Sequence, residues 1–487
     1  MAQGLKGLFQ NGLLYSFSSV LQRASSIILF PIFTAYLTKQ DYGILSYTNS
    51  LGSLLLIIAL VELPRAMGRM LYSAAEKDRT HLYKVVGSVL VAGVACSTLL
   101  SLAVIGLSKW LLKPYLGDIS FYPYVLFTII NVPLQTIYSI YISYVKFMQK
   151  GKVAFVTENV YFLLNIGFNL FFVVALHTNV IGLIYSTLIA NVIMAMHAFQ
   201  VFYKRVIKYF SIDILKQLYK ISLGLFPFIV LGGLAEYADN FFLNQYSGAD
   251  SLGIFYIATT FAGIFSFIKE SFLSSFTPYY YNLNKKGELS PQTSKVVLDV
   301  LYLIGFFAIG ISMFNSEVIS LLSSNKELVE ARRFIPLLVG GLLMIFVSQL
   351  VNTSLMLKAE IVRYFVIITI VSLVVNVLGD YWFIPKYGLM GLTIVKVLAY
   401  TAQLLVSLIL NLRLEKERRM PVLRMWLAAG FIFALSLLYY VPIQGYWLGF
   451  IFRLGIFLGY SILLYFYFSK KYQIEQRLKA QIPQLFK

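Results

Sequence analysis

Residues 43–72 read GILSYTNSLGSLLLIIALVELPRAMGRMLY, and the fold turns on this stretch. From Gly43 to Val61 no charged residue occurs. At 1.5 Å per residue a helix of that length nearly crosses the ~30 Å hydrocarbon core of a bilayer. Glu62, Arg65 and Arg69 then follow within the same apolar run, spaced i, i+3, i+7 along one helical face. An ionised side chain at bilayer depth costs roughly 2.5 to 3.5 kcal/mol on insertion scales, so such residues normally face a bundle interior or a wet cavity.

Working outward, stretches of the same kind recur at 9–37, 85–108, 121–146, 153–176, 179–203, 216–246, 252–281, 296–315, 334–357, 361–384, 388–412, 422–441 and 447–469. With 43–72 they make fourteen predicted spans of an all-α integral membrane protein. Alternation with period 2 is absent, which argues against a β-barrel. Hydrophobic residues form 59% of the 487 positions and charged residues 13%, too apolar a balance for a soluble protein.

The formal net charge of +19 reports topology rather than a nucleic-acid partner. Of the 40 Lys and Arg, 27 fall in the two termini, in the alternate connections on one side and at the span ends that flank them, and 7 on the other. The other six, Arg23, Arg65, Arg69, Lys269, Lys396 and Arg453, lie within spans. The positive-inside rule therefore assigns both termini to the cytoplasm and gives the inner face an attraction for anionic lipids. Cys96 is the only cysteine and His81, His177 and His197 are scattered, so no disulfide, metal site or cofactor is expected. The first apolar stretch is too long for a signal peptide and is expected to stay as the first helix.

Two halves of the chain resemble each other. Asp41-Tyr-Gly-Ile-Leu is echoed by Ser251-Leu-Gly-Ile-Phe, Val180-Ile-Gly-Leu by Leu389-Met-Gly-Leu, and Asn165 with Asn169 by Asn376 with Asp380, at offsets of about 210. A repeat of six helices keeps its direction, so two six-helix lobes related by a pseudo-two-fold along the membrane normal are expected. Their limits are 1–203 and 216–413. Residues 204–220 form an amphipathic cytoplasmic linker running into the seventh span, suited to the headgroup layer. Residues 414–487 add two helices and a basic tail.

The segments Asn11-Gly-Leu-Leu-Tyr-Ser-Phe, Leu29-Phe-Pro-Ile-Phe-Thr-Ala-Tyr-Leu-Thr-Lys-Gln-Asp-Tyr-Gly-Ile-Leu-Ser and Lys386-Tyr-Gly-Leu-Met-Gly-Leu resemble the polysaccharide-transport branch of the multidrug/oligosaccharidyl-lipid/polysaccharide exporter superfamily, the Wzx-type flippases. The resemblance covers essentially the whole chain and is silent about the sugar. It implies a protein of the bacterial cytoplasmic membrane that moves an undecaprenyl-pyrophosphate-linked oligosaccharide outward by alternating access of two lobes. Membrane lipids and polysaccharide polymerase machinery are the further partners considered, and a proton or monovalent cation the coupling ion.

Buried charges suit that task. Arg23, Arg65, Arg69 and Lys269 are the candidate cations for an anionic headgroup, offsetting its lost hydration. Arg69 is also near enough to the inner end to snorkel, and Glu62 can hold Arg65 as a structural pair. Glu236, Asp239, Asn376, Asp380 and Lys396 form a second candidate set nearer the outside. It resembles the sodium site of related lipid II flippases, in which an acidic residue of helix seven meets an Asn and an Asp four apart on helix eleven and groups of helix twelve. Asp239, Asn376 and Asp380 match, whereas Lys396 stands where a neutral oxygen ligand is expected. Three readings stay open: a charged latch, a proton-exchanging pair, and a static ion-pair network.

Pro31, Pro64, Pro133 and Pro227 interrupt spans, and Pro227 with Gly232-Gly233 marks the seventh as a candidate hinge. A multidrug exporter of the same superfamily is one alternative function. A membrane glycosyltransferase or polysaccharide polymerase is the other, but the connections at 109–120 and 316–333 are too short for a catalytic domain, so no enzyme is expected.

Overall fold

The computed structural model describes residues 27–74, 79–203, 208–224, 226–285, 291–355, 361–414 and 421–472. Its helices, labelled in chain order irrespective of how often each crosses, are α1 (Phe30–Tyr36), α2 (Lys39–Leu60), α3 (Leu63–Ala74), α4 (Arg79–Gly106), α5 (Leu126–Phe147), α6 (Gly151–Asn169), α7 (Asn179–Tyr203), α8 (Ile212–Ser222), α9 (Phe226–Lys285), α10 (Pro291–Leu322), α11 (Ile335–Leu355), α12 (Ile361–Leu414), α13 (Val422–Leu437) and α14 (Tyr446–Tyr472). No strand occurs among the described residues.

Among the described residues, eleven helical segments are long and apolar enough to cross a membrane. Two of them, Phe226–Tyr281 with 56 residues and Arg363–Leu414 with 52, are too long for one crossing. Each is broken at a glycine with non-helical angles, Gly248 at φ 76°, ψ 173° and Gly388 at φ 53°, ψ −134°. Left-handed φ is nearly free for glycine and costly for other residues, so a single residue breaks the helix where longer loops are predicted. Counting each as two gives thirteen crossings. α1 is the described end of the first predicted span, and the fold is that of a fourteen-helix membrane protein.

The second predicted span departs from one continuous helix. α2 ends at Leu60, Val61 and Glu62 take positive φ, and α3 begins at Leu63. Pro64 has no N–H to give the carbonyl of residue 60, so a helix running through would lose that bond. Glu62 therefore does not share a helix with the rest of the run, and its carbonyl accepts from the Arg65 and Ala66 amides at 3.1 and 3.2 Å. The seventh span likewise starts later than predicted. α8 stands apart and α9 opens at Phe226, so Pro227 lies in a first turn, where a missing N–H costs nothing, rather than at an interior kink.

By its contacts the chain divides into two compact units, residues 1–256 with 322–328 and 376–392, and residues 257–321 with 329–375 and 393–487. In the first, α8 seats Ile214 and Leu218 in a core with Leu63, Met67, Val85, Val89 and Ile140. Ser88 and Ser211 exchange two hydrogen bonds at 3.0 and 3.1 Å, fixing the start of α8 against α4.

In the second unit α10 and α14 pack antiparallel. Tyr302 meets Tyr467, Phe306 and Phe314 meet Phe457, and the Tyr460 hydroxyl donates to the Tyr302 carbonyl at 2.8 Å. An ion pair closes each end of this ladder: Lys471 Nζ with Asp299 at 2.6 Å, and Arg453 with Glu317. On both helices the charged positions are 18 residues apart, about 27 Å of helix, close to the thickness of the hydrocarbon core.

The repeat is visible in the backbone. The α1–α2 turn at Thr38 and the break at Gly248 are 210 positions apart, as are the turn before α7 at Thr178 and the break at Gly388. Connections predicted to share a face also meet. Ser324 donates to Thr34 and Pro31 at 3.1 and 3.2 Å, Lys39 pairs with Glu327 at 3.5 Å, and Asn244 donates to the Leu116 carbonyl at 2.8 Å. All belong to the expected outward end.

Candidate functional site

α2 opens at that end with a capping box: the Asp41 amide donates to the Thr38 hydroxyl, and the Asp41 carboxylate accepts from the Thr38 amide at 2.9 Å and from its hydroxyl at 2.7 Å. One turn on, α2 meets the second part of α9 backbone to backbone. A Cβ on Gly43 would stand 2.7 Å from the Ala249 carbonyl carbon, and one on Gly253 2.8 Å from that of Lys39, each nearer still to the oxygen. Gly43 and Gly253 are equivalent in the repeat, as are Lys39 and Ala249, so the contact is reciprocal.

Below this crossing α2 runs antiparallel to the first part of α9. Ser46 Oγ donates to Asn240 Oδ1 at 2.7 Å, and the Tyr47 and Tyr237 hydroxyls lie 3.1 Å apart. Deeper still, Gly233 faces the Leu54 and Ile57 side chains. The two helices are thus joined by a backbone contact, an uncharged polar layer and an apolar layer in succession.

Asp239 and Asp380 are 2% and 0% exposed, and Asn376 lies between them. Its amide donates to Asp239 Oδ1 at 2.8 Å and to Asp380 Oδ2 at 2.9 Å. An amide has only two N–H donors, and both are used here. Two carboxylates gathered at one amide form an oxygen-rich centre that attracts positive charge, whether an ammonium, a proton or a hard cation. Asn376 and Asp380 are one helical turn apart on α12, which sets both on one face. Glu236 is exposed, one turn before Asp239, and takes part through its carbonyl, which accepts from Asn240 Nδ2 at 2.9 Å.

Lys396 is 8% exposed on the second part of α12, with Nζ 5.9 Å from the Tyr400 ring centroid. Lys269 is 5% exposed. Its ammonium donates to Gln349 Oε1 at 3.1 Å and to Glu270 Oε1 at 2.6 Å, with Glu270 itself exposed. Arg65 and Arg69 are exposed, and Arg65 Nε lies 3.2 Å from Glu62. Arg23 lies outside the described residues.

Charge pattern alone passes over four pairs that the structure brings together. Ser46–Asn240 and Tyr47–Tyr237 are uncharged and leave no mark in an apolar window. The Glu317–Arg453 and Asp299–Lys471 pairs do have a signal, two acids and two bases at matched 18-residue spacing, but it needs α10 and α14 to be known neighbours. A fifth pair, Lys146–Glu158 at 2.5 Å, joins α5 to α6.

A family model described as "Polysaccharide biosynthesis protein" matches residues 32–287, and one described as MatE matches residues 230–382. No curated protein matches the chain. Among solved structures, a lipid II flippase, MurJ, in an inward closed conformation is similar at 15% identity and TM-score 0.70, over 94% of this chain and 99% of that one. An inward-facing multidrug resistance MATE family transporter of the MOP superfamily is similar at 13% identity and TM-score 0.64, over 85% and 98%. At these identities the two structures bear on the fold alone.

Proposed function

The chain belongs to the polysaccharide biosynthesis protein family, in the multidrug/oligosaccharidyl-lipid/polysaccharide exporter superfamily, and on that premise we propose that it flips an undecaprenyl-pyrophosphate-linked oligosaccharide from the inner to the outer leaflet of the bacterial cytoplasmic membrane. It is a multi-pass membrane transporter, and the families it matches are transporters rather than enzymes. The observation that carries the substrate is the family match over residues 32–287. The fold is shared by a lipid II flippase and a multidrug transporter, so it fits either substrate.

The chemistry of the task accounts for the charges set within apolar stretches. The polyprenyl tail stays in lipid, while the pyrophosphate and sugars cross an apolar core that gives them no hydration. Lys269, Arg65 and Arg69, with Arg23, serve as cations for the pyrophosphate. Lys269 suits the role best because its partners are an amide and an exposed carboxylate, both replaceable by phosphate oxygens. Residues 1–203 and 216–413 act as the moving lobes, the linker tethers them at the inner face, and both termini lie in the cytoplasm.

Alternating access requires the outward end of α2 and α9 to part. Asp239 and Asn240 are consecutive on α9, one bonded to Asn376 and the other to Ser46. A change of charge at Asp239, Asn376 and Asp380 therefore acts one residue from the contact that joins α2 to α9. Lys396 supplies that change as a latch or as a proton-exchanging partner. The membrane potential adds to the drive, about 2.3 kcal/mol per charge per 100 mV, in the direction that carries an anion out of a negative interior.

Depletion of the protein from its cell is the test. Lipid-linked oligosaccharide is expected to accumulate in the inner leaflet while surface polysaccharide falls. The MatE match over residues 230–382 favours a second reading, small-molecule export. Normal surface polysaccharide with increased sensitivity to cationic drugs would support that instead.

A further inference from the structure

The layer at which α2 meets the first part of α9 is polar but carries no charge. A closure needing only to exclude water is most cheaply built from aliphatic side chains, and one follows immediately at Gly233, Leu54 and Ile57. Above it the contact consists of hydroxyls, amides and aromatic rings without a formal charge. Ser46 bonds Asn240, and Tyr47 bonds Tyr237. Next to the crossing, the Tyr42 ring stacks on Tyr256 of the second part of α9, at 5.9 Å between centroids.

Two polar atoms in this region are buried without a hydrogen-bond partner among the described residues, Tyr42 Oη and Asn244 Oδ1. Both residues belong to the buried set, and leaving such a group unpaired forfeits the hydration it has in water. A bound ligand or an ordered water can satisfy groups of this kind. Tyr42 and Ser46 are one turn apart on α2, and Tyr237, Asn240 and Asn244 follow at three and four residues on α9, so each set lines one face.

We propose that Tyr42, Ser46, Tyr47, Tyr237, Asn240 and Asn244 form a glycan subsite that the outward end opens to the passing oligosaccharide. When α2 and α9 part, the bonds Ser46–Asn240 and Tyr47–Tyr237 break, and sugar hydroxyls take the places of both partners. The Tyr42 and Asn244 atoms that now lack partners gain them from the same hydroxyls. The tyrosine rings offer flat apolar faces to the C–H faces of pyranose rings, while their hydroxyls stay polar. A charged layer would hold an ion or the pyrophosphate. An uncharged set of hydroxyls, amides and rings matches a neutral sugar chain. Its position beside Asp239 links sugar passage to the carboxylate centre, because the same turn of α9 carries both.

The inference rests on the flippase reading, and one experiment separates their failures. Purified protein in proteoliposomes is offered two lipid pyrophosphates in parallel, one carrying a full oligosaccharide repeat and one carrying a single sugar. The initial flipping rates are compared as a ratio for the wild type, Asn240→Ala, Tyr237→Phe and Tyr42→Phe. The phenylalanine variants keep the rings and the packing, so they report on hydroxyls even if Asn240→Ala fails to fold. The ratio is expected to fall at least fivefold in the variants, because the longer glycan uses more of the layer. Equal slowing of both substrates would overturn the subsite and leave a closure wetted only by water. An unchanged ratio with unchanged rates would overturn it as well. Absence of wild-type flipping of either lipid would instead overturn the flippase reading on which the subsite depends.

Discussion

Substituting alanine at Gly43 tests the reciprocal crossing of α2 and α9 directly. The added Cβ would stand 2.7 Å from the Ala249 carbonyl carbon, where an ordinary carbon contact needs about 3.5 to 4.0 Å, so the helices must part by roughly 1 Å. The obstacle is backbone, which cannot turn away as a side chain can. Overpacking of this kind costs about 1 to 3 kcal/mol, and at about 2 kcal/mol the ratio of closed to parted forms falls roughly thirtyfold. Gly253→Ala meets the Lys39 carbonyl in the same way, and both glycines lie at one crossing. Parting the helices for one methyl therefore makes room for the other. The double variant should cost little more than either single one, leaving a coupling of about 2 kcal/mol in the double-mutant cycle. The assay is disulfide formation between Ser46→Cys and Asn240→Cys, whose parent side chains touch across the closure, in a Cys96→Ser background. Crosslinking should slow about tenfold or more in each alanine variant and no further in the double one. Wild-type crosslinking in Gly43→Ala, or effects that multiply, would refute the reciprocal contact.

The clasp between α10 and α14 predicts that Arg453→Met or Glu317→Gln alone destabilises the protein by about 3 kcal/mol, since the surviving group is left in a half-buried site, while the pair changed together recovers most of the loss. Thermal unfolding in detergent checks this, and equal losses in single and double variants would count against it. At the carboxylate centre, Lys396→Met, Asp239→Asn and Asp380→Asn should each reduce flipping at least tenfold at normal protein levels. Persistent flipping in all three excludes a coupling role and leaves a static network. Lys269→Gln should weaken binding of undecaprenyl pyrophosphate roughly tenfold, the value of a charge-assisted hydrogen bond of about 1.5 kcal/mol. An unchanged dissociation constant would remove Lys269 from the headgroup site.

Features that membrane burial marks by cost were legible in the sequence. Asp239, Asn376 and Asp380 stand out because ionised groups are rare in apolar runs, and the structure joins them through one amide. The repeat was legible because three short echoes share one offset, and the chain reversals at Thr38, Thr178, Gly248 and Gly388 keep it. Hydropathy could not show that Gly248 and Gly388 are hinges of single residues, since a window averages across them. The break at Val61 and Glu62 was hidden for the same reason, although Pro64 signals it once helix hydrogen bonding is followed residue by residue. Ser46, Tyr47, Tyr237 and Asn240 escaped notice because neutral polar side chains cost little one at a time. Only their meeting across two helices gives them meaning.

The central claim is outward movement of a lipid-linked oligosaccharide, and its most direct measurement is leaflet exchange in proteoliposomes. A fluorescent undecaprenyl-pyrophosphate oligosaccharide is incorporated in both leaflets, and a membrane-impermeant quencher is added outside. With the protein present, fluorescence should fall below the level set by the outer leaflet alone, as lipid from the inner leaflet becomes exposed. Loss confined to the outer pool, matching protein-free vesicles while a cationic drug is exchanged by the same preparation, would contradict the account.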